Sequence, residues 1–168
     1  MLLKIKDKNM NEKEISITRV FNAPLQQVWK AWTDAEMLKQ WWGPNNVTIP
    51  ECEIDLRVGG KFYIVMEAGE AMGSYKGTRW PMMAEFTVVE PNSKIFYNAK
   101  AWTEGHEKTT EIEQVTELTF TEGEGKTTVH VRAAISKASP DAGGAVQGME
   151  YGFTQQLEKL NTFLAEKE

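Results

Sequence analysis

The fold turns on GAVQGMEYGFTQQLEKLNTFLA, residues 144–165. Met149, Phe153, Leu157, Leu160 and Leu164 recur at steps of four, four, three and four, which is one helical face and not a strand. Gln155, Glu158 and Lys159 fall on the polar side. A helix with a single apolar stripe must bury it, and the segments before it are strand-like, so its expected partner is a sheet. Gly148 and Gly152 each cost about 1 kcal/mol relative to Ala in a helix interior. Either tight helix-on-sheet packing or room left beside the helix accounts for them.

Ser139-Pro140-Asp141 reads as a helix start just upstream, with Ala142 to Ala145 loosely helical. Before it, Thr127 to Ile135 is the last strand, reached through the turn Gly123-Glu124-Gly125. Ile112, Thr116, Leu118 and Phe120 share one strand parity, and Glu111, Glu113 and Glu117 take the other. Lys94 to Trp102 and Ala84 to Val89 are strands joined by the turn Pro91-Asn92-Ser93. Residues 67–83 read as a strand interrupted by loops. Phe62, Ile64 and Met66 alternate on one strand, Cys52, Ile54 and Leu56 on another, with Gly59-Gly60 as a two-residue hairpin turn.

The N-terminal part changes period. Leu25, Val28, Trp29 and Trp32 make a helical stripe behind Pro24, capped by Asn22 or Ala23. Thr33-Asp34-Ala35-Glu36 has the form of a capping box that starts a second helix, ended by Gly43-Pro44. Glu14 to Phe21 reads as the opening strand, and residues 1–11 as a charged tail before one domain spanning 12–168.

The 168 residues, 41% hydrophobic, suffice for one sizeable core. A net charge of -5 with scattered basic residues argues against nucleic acid as a partner. No apolar run approaches the ~18 residues of a membrane span, and MLLKIKDKNM has lysines where a signal peptide needs an apolar core, so the expected location is cytoplasmic. The single cysteine, Cys52, allows no internal disulfide.

Arg19-Val20-Phe21-Asn22-Ala23-Pro24, Val28-Trp29, Ala31-Trp32-Thr33 and Trp41-Trp42-Gly43-Pro44 recur as a spaced set. Asp55-Leu56-Arg57-Val58-Gly59-Gly60-Lys61-Phe62 and Gly148-Met149-Glu150-Tyr151-Gly152-Phe153 with Leu157 extend it. In these motifs the chain resembles the START-like, or SRPBCC, superfamily typified by the major birch-pollen allergen. More closely, it is similar to prokaryotic homologues of the C-terminal domain of the activator of the heat-shock-protein-90 ATPase. The resemblance implies an α+β helix-grip fold, in which a curved antiparallel sheet wraps around a long C-terminal helix with two short helices after the first strand. It implies no single activity, because the superfamily hosts lipid and steroid carriers, cyclases, hydrolases and co-chaperones.

A sheet curled around one helix leaves a space that apolar side chains either fill or line. Phe62, Ile64 and Met66 share a face, and Tyr75, Tyr97 and Trp102 are the expected concave-side partners. With Met149, Phe153 and Trp41 or Trp42 they are candidates to enclose a small apolar or amphipathic molecule; the same residues also suit a filled core. Tyr and Trp favour a wall, since their polar tips want a partner. Met66, Met72, Met82 and Met83 read as filler. Arg79 and Glu85, with His130, are the candidate acid-base groups of a cyclase- or hydrolase-like enzyme if they point inward. Cys52, among carboxylates, is a poor nucleophile, and His106 lies in a polar loop. These residues have no metal-ligand spacing, so no metal and no cofactor are expected. The remaining class is an interaction protein with a chaperone partner.

Overall fold

The computed structural model describes residues 13–167, so the N-terminal tail expected over residues 1–11 lies outside the described residues. Strands β1 (Glu14–Phe21), β2 (Val47–Ile54), β3 (Lys61–Ala68), β4 (Arg79–Glu90), β5 (Lys94–Trp102), β6 (Glu111–Gly123) and β7 (Lys126–Ala138) form one antiparallel sheet. Their order is β1-β7-β6-β5-β4-β3-β2. Helices α1 (Leu25–Thr33) and α2 (Ala35–Trp41) follow β1, and α3 (Gly143–Ala165) closes the fold. The sheet curls around α3, giving the α+β helix-grip arrangement.

Strand register sorts side chains by face, because a residue and its partner across the ladder point the same way. One inner row runs Phe86, Tyr97, Thr116, Ala133, Ile15. The next runs Phe62, Ala84, Ala99, Gln114, Ile135, and a third Ile64, Met82, Ala101, Ile112. Met66 and Trp80 pair beyond it. Bulges at the Phe86/Val88 and Glu113/Gln114 shifts bend the long strands.

The α3 stripe is buried over its C-terminal half, at Leu157, Leu160, Phe163 and Leu164. Val146 and Ala142, at its start, pack with Ile112 and Ile135 in a separate small cluster, and Met149 touches both this cluster and the main core.

Local chemistry shifts several expected boundaries. The cap of α2 is Asp34 and not Thr33: the Asp34 carboxylate accepts from the amides of Glu36 at 2.9 Å and Met37 at 3.1 Å. Thr33 instead donates its hydroxyl back to Trp29 O at 2.9 Å. Pro24 itself occupies the cap of α1 without a side-chain bond, and the Leu25 amide donates to Glu122 Oε2 at 3.1 Å. The β2–β3 connection is a loop over residues 55–60, longer than a two-residue turn. A Cβ on Gly60 would lie 2.0 Å from Asp55 O, so only glycine closes it. The irregular stretch is shorter than the sequence suggests: β4 starts at Arg79, after two 3-10 turns within Glu70–Tyr75 that meet at a kink at Gly73. Pro140–Ala142 is likewise a 3-10 turn before α3.

Candidate functional site

The concave face has two ends. At the first, aromatic rings fill the space: Trp32 meets Trp41 edge-on at 4.7 Å, Trp42 meets Phe62 at 5.5 Å, and Phe62 contacts Phe86 at 6.0 Å and Tyr97 at 5.7 Å. Such pairs add about 0.5–1.5 kcal/mol each beyond the area they bury. Trp41 satisfies its indole N–H by donating to Ala31 O at 3.1 Å. This end is core.

At the second end the same inner rows continue, but Met66, Trp80, Met82, Ala101 and Gln114 are only half-buried, as are Met149 and Phe153 on α3. Side chains that face the helix yet keep solvent access leave part-covered apolar surface between the first half of α3 and strands β3–β6, called the cleft below. Its floor is small, with Ala84, Ala99 and Ala101 in adjacent rows. At its rim the rings of Tyr75 and His106 stack at 4.4 Å, with Trp80 6.2 Å from Tyr75.

One wall of the cleft is the loop from Trp42 to Asn46, and α3 holds that loop with polar side chains. The Gly43 amide donates to Gln156 Oε1 at 2.8 Å, and the Asn45 amide to Gln155 Oε1 at 3.0 Å. Lys159 Nζ donates to the carbonyls of Trp42 and Pro44, both at 3.2 Å, and its burial lowers the ammonium's pKa. Gly43 has φ +86, and a Cβ there would lie 2.8 Å from Val47 Cγ2 and 2.9 Å from Met66 Sδ. Close approach is thus required at Gly43. It is not required at Gly148, whose absent Cβ would meet nothing within 4 Å, or at Gly152, whose Cβ would meet Pro44 at an ordinary 4.0 Å.

The structure brings Trp41, Trp42, Phe62, Ile64, Met66, Tyr97, Met149 and Phe153 to the helix side of the sheet. It does not bring Arg79, Glu85 or Trp102 there. Ala101 pairs with Met82 on the inner face, so the next residue, Trp102, points outward, where its indole N–H donates to Glu104 Oε2 at 2.9 Å. Arg79 is outward as well, between Glu67 at 2.8 Å and Glu51 at 3.4 Å. Glu85 pairs with Lys61 at 2.8 Å, a hydrogen bond that lowers the carboxyl's pKa in open solvent. Tyr75 sits at the rim and is 37% exposed. His130 bonds Ser16 Oγ at 2.7 Å on the outer face, and His106 Nδ1 accepts from the Lys108 amide at 3.0 Å.

Trp80, Gln114, Thr116 and Gln156 belong to this site and were not singled out from the sequence. Gln114 Nε2 donates to Thr116 Oγ1 at 3.1 Å, and the Thr116 hydroxyl in turn bonds the Tyr97 phenol, opposing the strong upward push that full burial gives its pKa. Gln156 is a polar residue on the apolar stripe, three positions from Phe153 and seven from Met149, which was the available signal.

Among the described residues, the rows Phe62-Ala84-Ala99-Gln114 and Ile64-Met82-Ala101-Ile112, with Met66 and Trp80, carry no Asp, Glu, Lys, Arg or His. The cleft can therefore bury apolar surface, worth about 25 cal/mol per Å², and donate hydrogen bonds, but it supplies no acid-base pair. Cys52, buried on β2, has its thiol pushed up to about 11, mainly by burial, and is no nucleophile at neutral pH. Among the described residues no group of three or more His, Cys, Asp and Glu is placed to hold a metal ion, and no helix is long and apolar enough to cross a membrane. Two surface grooves lie outside the cleft. One, of about 400 Å³, is lined by Gln40, Asn45, Gln155 and Lys159. The other, of about 380 Å³, is lined by Glu53, Lys61, Tyr63 and Met83.

Solved structures share the architecture. A protein from Nitrosomonas europaea is 21% identical, with 92% of this chain and 95% of that one covered at a TM-score of 0.69. The AHSA1 protein from Silicibacter pomeroyi is 21% identical over 93% of this chain and 100% of its own, with a TM-score of 0.68. A protein from Mycobacterium smegmatis is also 21% identical, over 95% and 96%, with a TM-score of 0.70. At this identity the likeness shows the fold alone. No curated protein matches the sequence. The profile described as Activator of Hsp90 ATPase homolog 1-like protein matches residues 22–165, nearly the whole length, and by that match the chain belongs to the Activator of Hsp90 ATPase homolog 1-like family.

Proposed function

We infer that this protein binds a small apolar or amphipathic molecule in the cleft between the first half of α3 and strands β3–β6. The observation that carries this reading is the half-burial of inner-face residues at one end only: Met66, Trp80, Met82 and Ala101 face the helix without being covered by it. A filled core leaves no such surface, and covering it with an apolar molecule gains roughly 25 cal/mol per Å². The absence of a carboxylate, imidazole, ammonium or guanidinium group from the rows that line the cleft, among the described residues, weighs against the cyclase- or hydrolase-like alternative. Arg79, Glu85 and His130 all face away from the cleft. A chaperone partner rests on the family's description alone, and a stimulation assay with the Hsp90 ATPase tests it separately. A cytoplasmic location fits Cys52, a buried cysteine with a free thiol.

Native mass spectrometry of the freshly purified protein, with denaturing extraction of any adduct, tests the binding reading. The expected result is a discrete apolar adduct whose uptake Met149→Trp abolishes while the thermal melt stays cooperative. Uptake unchanged in Met149→Trp contradicts the assigned place.

A further inference from the structure

The cleft's polar groups carry information about the molecule it takes. Gln156 is buried, with 5% of its surface exposed, and it lies on the sheet-facing side of α3 next to Phe153. The Gly43 amide fixes the orientation of its side chain: an N–H needs an acceptor, so the oxygen faces Gly43 and the amide nitrogen points away from it. Among the described residues Gln156 Nε2 has no hydrogen-bond partner. A buried donor without an acceptor costs on the order of 1–3 kcal/mol, and a protein rarely keeps one at a site that could be Leu or Met. Leu157 and Leu160, one and four residues further along, are buried on the same side of the helix, so an apolar side chain would pack there.

The other polar groups nearby are of the same kind. Gln114, Thr116 and Tyr97 form a chain of neutral groups across β5 and β6, and Tyr97 touches the Phe62 ring that also touches Trp42, the residue before Gly43. The lysine on this part of α3, Lys159, is turned to the outer side, onto the carbonyls of Trp42 and Pro44. The cleft thus combines a neutral donor with apolar walls and offers no cation to a carboxylate or phosphate. An anionic head would be desolvated against Met, Trp and Ala without a counter-charge, which is strongly unfavourable.

We propose that the ligand is an uncharged apolar molecule carrying an acceptor oxygen, of the ketone or ester class, and that Gln156 Nε2 donates to that oxygen. This rests on the binding reading above and narrows it to a ligand class and an anchoring residue. Gln156 then has two tasks on its two amide atoms: the oxygen holds the loop at Gly43, and the nitrogen holds the ligand.

The test compares three probes of equal chain length, decane, 2-decanone and decanoate, by calorimetric titration against the wild type, Gln156→Met and Gln155→Ala. The wild type is expected to bind 2-decanone about tenfold more tightly than decane, the scale of one buried hydrogen bond, and decanoate more weakly than either. Gln156→Met is expected to abolish the preference, bringing 2-decanone to the level of decane, while the loss of the Gly43 bond shifts both probes alike. Gln155→Ala removes a loop bond without removing the donor, and keeps the preference. Should Gln156→Met not fold, the carbonyl carbon of 13C-labelled 2-decanone bound to the wild type decides: a downfield shift relative to alkane solution marks the hydrogen bond, and an unshifted signal overturns it. Equal binding of decane and 2-decanone, a preference surviving in Gln156→Met, or tighter binding of decanoate overturns the donor assignment while leaving the cleft standing. Binding of none of the three overturns both.

Discussion

The two ends of the concave face are made by the same sheet and the same helix, and differ in what sits above the strands. At one end α1 and α2 press Trp32, Trp41 and Trp42 onto Phe62, Phe86 and Phe120, and these residues are buried to 8% exposure or less. At the other, α3 faces the sheet alone, and Met66, Trp80, Met82 and Ala101 stay half-covered. One helix is thus fully packed along part of its length and part-covered along the rest. Leu157, Leu160 and Leu164 of α3 are buried in the core, Met149 and Phe153 are part-covered, and the buried Gln156 lies between the two sets.

Substitutions at the two ends should therefore differ in cost. Phe86→Ala at the filled end is expected to lose about 3–5 kcal/mol in urea unfolding, against about 1 kcal/mol for Met82→Ala, whose side chain is already part-solvated. Equal costs would mean that the ends are not distinct. A pH series sharpens the same contrast, because the buried titratable groups with raised values, Cys52 and Tyr97, lie under the aromatic cluster or at its margin. The unfolded thiol ionises near its ordinary 9.0 and the folded one near 11, so the folded state holds the proton longer and stability falls as pH rises between them. The loss reaches roughly 3 kcal/mol. Tyr97, raised from 10.0, adds to the fall at higher pH. Lys159, lowered from 10.5, works the other way just below that value. Cys52→Ala should flatten the portion between pH 9 and 11 in chemical melts, and an unchanged profile would remove Cys52 as its source.

Smaller effects probe the wall between the ends. Gly43→Ala combines a left-handed φ with a close approach to Val47 and Met66, and is expected to cost about 1–2 kcal/mol. Met66 is one of the two side chains that must yield, so altered probe binding should accompany the loss. Gly148→Ala, in contrast, fills open space at an exposed helix position and should raise stability by up to about 1 kcal/mol. A destabilised Gly148→Ala would show that the first half of α3 packs more tightly than this account allows.

Much of the fold was legible because it is written in periods. The stripe on α3, the alternation in β3, β5 and β6, and the spaced motifs around Trp41-Trp42-Gly43-Pro44 each point to the same architecture. The site was legible only in part, and the reasons are local. Trp102 and Tyr97 have opposite parity on one strand, so they cannot share a face, and strand parity alone places Trp102 outside. Arg79, Glu85 and Trp80 required the start of β4, which the glycines and methionines of residues 67–83 obscure. Gln156 was visible as a polar residue on an apolar stripe, but its meaning depends on Gly43, 113 residues earlier in the chain, whose amide fixes its orientation. A contact of that range has no periodic trace in the sequence.

The most direct test of the account uses the methionines as reporters. Methyl NMR of the protein labelled at its methionine methyls, titrated with 2-decanone, reads Met66, Met82 and Met149 in the cleft against Met37 in α2 and Met83 on the outer face, which is 40% exposed. Saturable shifts are expected at Met66, Met82 and Met149 while Met37 and Met83 stay in place. Shifts led by Met83, or none at the three cleft methyls, would contradict it.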